Sequence, residues 1–450
     1  MRFWFIPIPY LLVTIIVLGC GPSAEVNVAG YLLTKQLGTQ NPTPVAEMPG
    51  TLTGRVIDSV TGEAIEGATV LVAEQTGRPH TGQTDAHGRY TIEAIPSGNY
   101  SPAAIAPGYL ETASQTLWGT PGLVQIDSAK TSVASTLRLV PYRPTDLPEN
   151  LAQVVGLTTT TVYTATAPYP DGSAALVHHY ELTYHEVKID SLRLYTPLEI
   201  NVNIDSGSNE NGTEEKEGET SPSKTELALP LLFMVYPTHV DLWETVSVAF
   251  AGQGYALVAM SPMVERGLDI DAHAQDARIG LELATRSELH PLVTDKDAVV
   301  LGGSFSSAVL NRLLRDASSQ ISAWVTVGGI GNAFTGTSEF YAGQVTIPAE
   351  YTYLIPALGS PRLYPLPFLR YSPVYAAPQL PPTQIIHTAA DLIIPIEQAY
   401  ELEQALRSSG VPVEVFYYDD VSHYLQIDEN LTDAGKEMFT QILAFIEKYN

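Results

Sequence analysis

One stretch constrains this chain more than any other: the apolar run Ala298–Leu301, then Gly302, Gly303, Ser304 and Phe305, then the helix-favouring segment Ser306–Arg315. A short buried-type strand, a tight glycine turn and a helix in immediate succession form the setting of a nucleophile elbow. Two adjacent glycines permit a sharp turn that lifts a serine hydroxyl clear of a sheet edge. The next residue, Phe305, then offers a backbone N–H at a helix start, where negative charge is stabilised. Ser304 is therefore the expected nucleophile, and Phe305 the expected first donor to an oxyanion.

A serine hydroxyl needs a base to take its proton and an acid to orient that base. On a strand–turn–helix scaffold of this kind the chain order is serine, acid, histidine. Of ten histidines, only His423 lies beyond Asp391. Asp391 follows the strand-like run Thr383–His387, and His423 follows the run Val413–Tyr417. Both thus fall on loops at the same sheet edge as Ser304. The second oxyanion donor is expected after the run Leu231–Tyr236. Pro237 has no N–H, which leaves the backbone of Thr238 or His239, or else the Tyr236 phenol.

The pattern beyond residue 230 supports this placement. Continuous apolar runs at Leu231–Tyr236, Tyr255–Met260, Ala298–Leu301, Ala323–Val327, Thr383–His387 and Val413–Tyr417 alternate with helical segments. The helical segments are Glu244–Ala251, His273–Ser287, Ser306–Arg315, Ile396–Ser409 and the terminal amphipathic Thr432–Tyr449. Such alternation predicts a doubly wound, mostly parallel α/β sheet covered on both faces. Residues 331–382, rich in proline, tyrosine and leucine, interrupt the rhythm and are expected to form a lid or substrate wall.

Residues from about 180 to 450 resemble an α/β-hydrolase of the dienelactone hydrolase/prolyl oligopeptidase type. The residues that carry the likeness are Gly252–Ala259, Asp295–Ser304, His387–Pro395 and Ser422–His423. The resemblance implies a Ser304–Asp391–His423 triad and no metal or organic cofactor. Ser306 stands where the family usually has glycine. The expected activity is cleavage of a small ester through an acyl-enzyme. A peptidase, and an inactive surface or carbohydrate-binding lipoprotein, are the alternatives.

The N-terminal third reads differently. Short β segments with regular turns from Leu52 to about Tyr142 predict a small antiparallel sandwich. Gly54–Asp58, Gly67–Val70, Thr84–Tyr90 and Pro107–Tyr109 resemble the carboxypeptidase regulatory-like domain. His80 and His87 lie in its loops and read as surface residues. His178 and His179 would point to opposite faces of a strand, so they are not expected to share a metal ion.

Met1 and Arg2 precede an apolar run from Phe3 to Leu18, then Gly19 and Cys20, the only cysteine. This arrangement describes an export signal, and Val17–Cys20 resembles the bacterial lipobox, which implies lipidation of Cys20. The expected organisation is a signal at 1–19, a flexible tether at 20–49, the sandwich at 50–142 and the hydrolase domain at 150–450. An acidic stretch at 203–226 lacks apolar anchors and reads as a disordered hairpin insertion. The protein is expected outside the cytoplasm, tethered to a membrane. A formal charge of −26 over 450 residues argues against nucleic acid as a partner. Oligomeric state is left open.

Overall fold

The computed structural model describes residues 48–198, 229–291, 293, 297–345, 354–419, 423, 426–427 and 430–450. Cys20 and the acidic stretch 203–226, with the calls made on them, lie outside the described residues.

The first unit is a β-sandwich of short strands: β1 (Gly50–Asp58), β2 (Thr69–Ala73), β3 (Pro79–Gln83), β4 (Arg89–Ile95), β5 (Gly98–Tyr100), β6 (Ala103–Ile105), β7 (Thr112–Ala113), β8 (Val124–Ile126), β9 (Thr131–Val133) and β10 (Leu137–Leu139). One layer has the order β10-β1-β4 with β9 also on β1, and the other β3-β2-β6-β7. Leu52, Val70, Ile92 and Leu139 meet between them with no exposed surface to speak of. The sandwich is not purely antiparallel, as the turn spacing alone suggested. β1 is long enough to take β9 in parallel at Thr51–Thr53 and β10 in parallel at Val56–Asp58.

The second unit is a nine-stranded sheet. Its strands are β11 (Thr158–Thr166), β12 (Ala174–Tyr184), β13 (Val187–Pro197), β14 (Leu231–Val235), β15 (Ala256–Met260), β16 (Ala298–Gly303), β17 (Ile321–Val327), β18 (Thr383–Thr388) and β19 (Val413–Tyr418). Their order is β11-β12-β13-β15-β14-β16-β17-β18-β19. β11 to β13 pair antiparallel, β13 meets β15 antiparallel, and β14 to β19 run parallel. This is the doubly wound α/β sheet expected from the alternation. Within it, β15 lies between β13 and β14.

Side-chain alternation along the buried strands feeds two cores. On β14, Leu231, Phe233 and Val235 face the layer that holds α2 (Ile270–Thr285), α3 (Ser306–Asp316) and α6 (Glu397–Ser408). Leu232, Met234 and the following Tyr236 face the layer that holds α1 (Glu244–Ala251) and α7 (Asp433–Tyr449). The chain leaves β14 toward β15 on one side and returns to β16 on the other. That switch opens a crevice beyond the carboxyl ends of β14 and β16, where open α/β sheets bind ligands.

The two units share a core. Leu71, Ala73, Ala103 and Ile105 of the sandwich pack against Phe334 of α4 (Ala333–Tyr341), Phe368 and Leu369 of α5 (Pro365–Arg370), and Ala376. Helices α4 and α5, within the 331–382 excursion, are thus the platform on which the sandwich sits. Beneath it, Glu111 accepts from Arg312 at 2.9 Å and from Arg315 at 2.6 Å, and both arginines lie on α3.

Candidate active site

The turn after β16 is built around contacts that no side chain could share. A Cβ on Gly303 would fall 1.7 Å from the Val327 carbonyl oxygen, and one on Gly302 would fall 2.7 Å from Leu310 and 2.9 Å from the Val235 oxygen. Ser304 itself holds φ at +49°, the left-handed region that costs a non-glycine residue about 1–2 kcal/mol. Its neighbours hold it there. The Ser304 N–H donates to the Gly328 carbonyl at 3.0 Å, and the Ser304 carbonyl accepts the Ser307 hydroxyl at 2.6 Å. Ser306, which stands where glycine is usual, fits without exposure. Its hydroxyl donates to the Gly303 carbonyl at 2.7 Å and accepts the Gly303 N–H at 3.1 Å, closing the turn.

Asp391 and His423 meet. His423 Nδ1 lies 2.5 Å from Asp391 Oδ2, with Asp391 side-chain exposure at 0%. The other carboxylate oxygen, Oδ1, accepts the N–H groups of Ile393 and Ile394 at 2.8 and 2.9 Å. Asp391 does not cap the helix that follows, α6, whose first turn has no side-chain cap. Burial alone would raise the Asp391 pKa, but the hydrogen bonds from His387 and His423 outweigh it and hold the carboxyl well below its usual range.

Gly328 links the two halves of the site. Its carbonyl holds the Ser304 amide. A Cβ on it would lie 3.0 Å from His423 Cε1 and Nδ1, and its φ of +57° suits glycine. Ser304 and His423 therefore flank one residue at the end of β17.

Among the described residues, neither the Phe305 nor the Thr238 N–H has an acceptor in the protein. The Thr238 loop is held by Trp243 Nε1, which donates to Thr238 Oγ1 at 2.8 Å, and by Val240 N–H, which donates to Ser261 Oγ at 3.2 Å. The Tyr236 phenol, expected as an alternative donor, is turned away. It hydrogen-bonds Ser247 Oγ at 2.8 Å beneath α1, and its ring stacks on Trp243 at 5.2 Å. Strand alternation places it there with Leu232 and Met234, and burial raises its pKa.

His387 was not singled out from sequence. It lies in β18 with 1% exposure, donates from Nε2 to the Ile394 carbonyl at 2.7 Å, and has the same nitrogen 3.4 Å from Asp391 Oδ2. A histidine four residues before the acid, at a strand end, was the available signal. Of the other histidines, His239 follows Thr238 and His273 meets the Phe305 ring edge-on at 5.9 Å, while the rest lie elsewhere: His80 pairs with Glu74 at 3.0 Å. His178 meets His290 with ring centroids 5.6 Å apart, while His179 faces Tyr163 across the strand.

Residues 51–131 match the family model of the carboxypeptidase regulatory-like domain. No curated protein matches the chain at a significant level. Among solved structures it is similar to an acylaminoacyl peptidase of Pyrococcus horikoshii, at 13% identity and TM-score 0.44, over 85% of this chain and 54% of that one. The chain thus spans about half the peptidase's length. It is also similar to esterase B of Lactobacillus rhamnosis, at 13% identity and TM-score 0.43, over 68% and 89% of the two chains. A propionate-bound esterase of Thermogutta terrifontis matches at 15% identity and TM-score 0.40, over 58% and 91%. At such identities none of them transfers an activity to this chain.

Proposed function

We propose that the protein is a serine hydrolase that cleaves carboxylic esters through an acyl-enzyme, with Ser304 as nucleophile, His423 as base and Asp391 as the orienting acid. The observation that carries the reading is the 2.5 Å His423–Asp391 pair set against Ser304 on the shared Gly328. Asp391 accepts from Nδ1–H, so in the neutral ring Nε2 carries the lone pair that receives the Ser304 proton. Oγ attacks the ester carbonyl carbon as that proton passes to Nε2. The carbonyl oxygen becomes an oxyanion, for which the Phe305 and Thr238 N–H groups are the donors. The imidazolium then gives its proton to the departing alkoxide, leaving alcohol and acyl-Ser304. Water repeats the sequence, releasing the acid and restoring the serine. Asp391, held ionised, stabilises the imidazolium in both halves.

The reading includes a lipid anchor on Cys20 and a position outside the cytoplasm, supported by the apolar run that ends in Gly19–Cys20. Radiolabelled palmitate in a bacterial host tests the anchor. Label should be retained by the wild type and lost in Cys20→Ala, and label on the variant contradicts it. A panel of nitrophenyl acyl esters tests the chemistry. Turnover should be abolished in Ser304→Ala, and equal turnover in the two proteins would contradict the assignment.

A further inference from the structure

Below the Thr238 loop, on the side of the sheet covered by α1 and α7, lies a cavity of about 110 Å³. Gly302, Gly303, Tyr236 and Pro237 border it, so it begins one residue from the nucleophile and one residue from the second oxyanion donor. Its remaining wall is mostly apolar, with Thr245 and Tyr169 the exceptions. Trp243 and Ala249 contribute from the α1 side, and Phe439 and Ile442 from α7. Of the two tyrosines on the wall, Tyr169 and Tyr236, the Tyr236 phenol is already bonded to Ser247.

Resting on the ester-hydrolase reading, we propose that this cavity holds the acyl chain of the substrate, and that the substrate class is esters of unbranched aliphatic acids of about five to six carbons. An ester bound at Ser304 with its carbonyl oxygen at the Phe305 and Thr238 N–H groups must send its acyl chain to one side of the elbow. The cavity is an apolar volume whose wall includes Gly303 and Pro237, the residues that precede Ser304 and Thr238. Its size sets the length. A cavity of ~150 Å³ holds a six-carbon ring, so this one takes about four to five methylene carbons beyond the carbonyl. Its chemistry sets the class. A carboxylate or a sugar placed there would lose its water against a wall that is mostly apolar.

The test is kcat/KM for nitrophenyl esters from acetate to decanoate, with fluorophosphonate labelling of Ser304 in every protein. The wild type should peak near pentanoate to hexanoate. Ala249→Phe fills the cavity and should lower the hexanoate-to-acetate ratio by at least ~10-fold, the scale on which hydrophobic pockets discriminate chain length. Ile442→Ala enlarges it and should move the optimum to longer chains, which keeps the test decisive if the larger side chain prevents folding. Labelling of all three with an unchanged length profile overturns the pocket and leaves the hydrolase standing. A wild type that neither labels nor turns over any ester overturns the reading beneath it.

Discussion

Two carboxylates in this molecule are buried to the same degree and serve different ends. Glu111 and Asp391 both have 0% side-chain exposure. Burial would raise the pKa of each, and in each the neighbours win. Glu111 is brought down to about 2 by Arg315 and Arg312. Asp391 is also held well below its usual range, by hydrogen bonds from His387, His423 and the Ile394 N–H. The difference lies in the partners. Guanidinium groups stay protonated across the whole working range, so Glu111 is locked and can only hold the sandwich to α3. An imidazole that donates from one ring nitrogen keeps a second nitrogen for other chemistry, so Asp391 can hold His423 in the orientation that a base needs. A buried carboxylate marks chemistry here only where its partner has a second nitrogen free of the carboxylate's hold.

That contrast can be broken most sharply by Asp391→Asn and Glu111→Gln side by side. Asp391→Asn should lower kcat on a nitrophenyl ester by about 10⁴-fold, the scale seen when a triad acid loses its charge. Glu111→Gln takes the carboxylate from buried Arg315 and leaves Arg312 only Asp271, and should cost about 3–5 kcal/mol of stability, read as a lower thermal midpoint, with kcat within a few-fold of wild type. Equal losses of activity in the two would erase the distinction.

Acid should reveal Glu111 separately. Its folded pKa of about 2 lies below its ordinary 4.5, so its stabilisation is complete above pH 4.5 and disappears as pH falls toward 2. The loss is on the order of 3 kcal/mol and should flatten in Glu111→Gln. Smaller still is the recovery expected when Glu111, Arg312 and Arg315 are replaced together by Leu, Met and Leu. Apolar substitutes for a buried ion network should return most of what Glu111→Gln removes.

The smallest effect concerns Glu339 on α4, whose pKa is pushed up to about 7 by burial and by the charges of Glu397 and Glu401. A raised carboxyl pKa means that stability falls as pH rises from about 4.5 through 7. Glu339→Gln should therefore raise the thermal midpoint at pH 8 and change it little at pH 5. A gain of the same size at both would exclude the titration.

The parts of this protein that were legible in its sequence are the locally encoded ones. The Gly302–Gly303–Ser304 turn announces itself by its own residues and the strand before it, although Gly328 and Val327 help to hold it. The parallel strands announce themselves as apolar runs, and the order serine, acid, histidine places Asp391 and His423 at one sheet edge. Tyr236 was misjudged although the signal was present, because alternation from Leu232 and Met234 already sends it beneath α1. The docking of the sandwich was not legible. Glu111 meets Arg312 across 201 residues of sequence, and no local pattern distinguishes it from a surface glutamate. The place of β15 between β13 and β14 is hidden for the same reason: strand order is set by how the layers close, not by any one strand.

The measurement closest to the central claim is the rate at which a fluorophosphonate labels the wild type, Asp391→Asn and Glu111→Gln, with the adduct located by peptide mass spectrometry. The account predicts one adduct per chain on Ser304, formed at similar rates in the wild type and Glu111→Gln and at least ~10³-fold more slowly in Asp391→Asn. An adduct on another residue, or Asp391→Asn labelling as fast as the wild type, would contradict it.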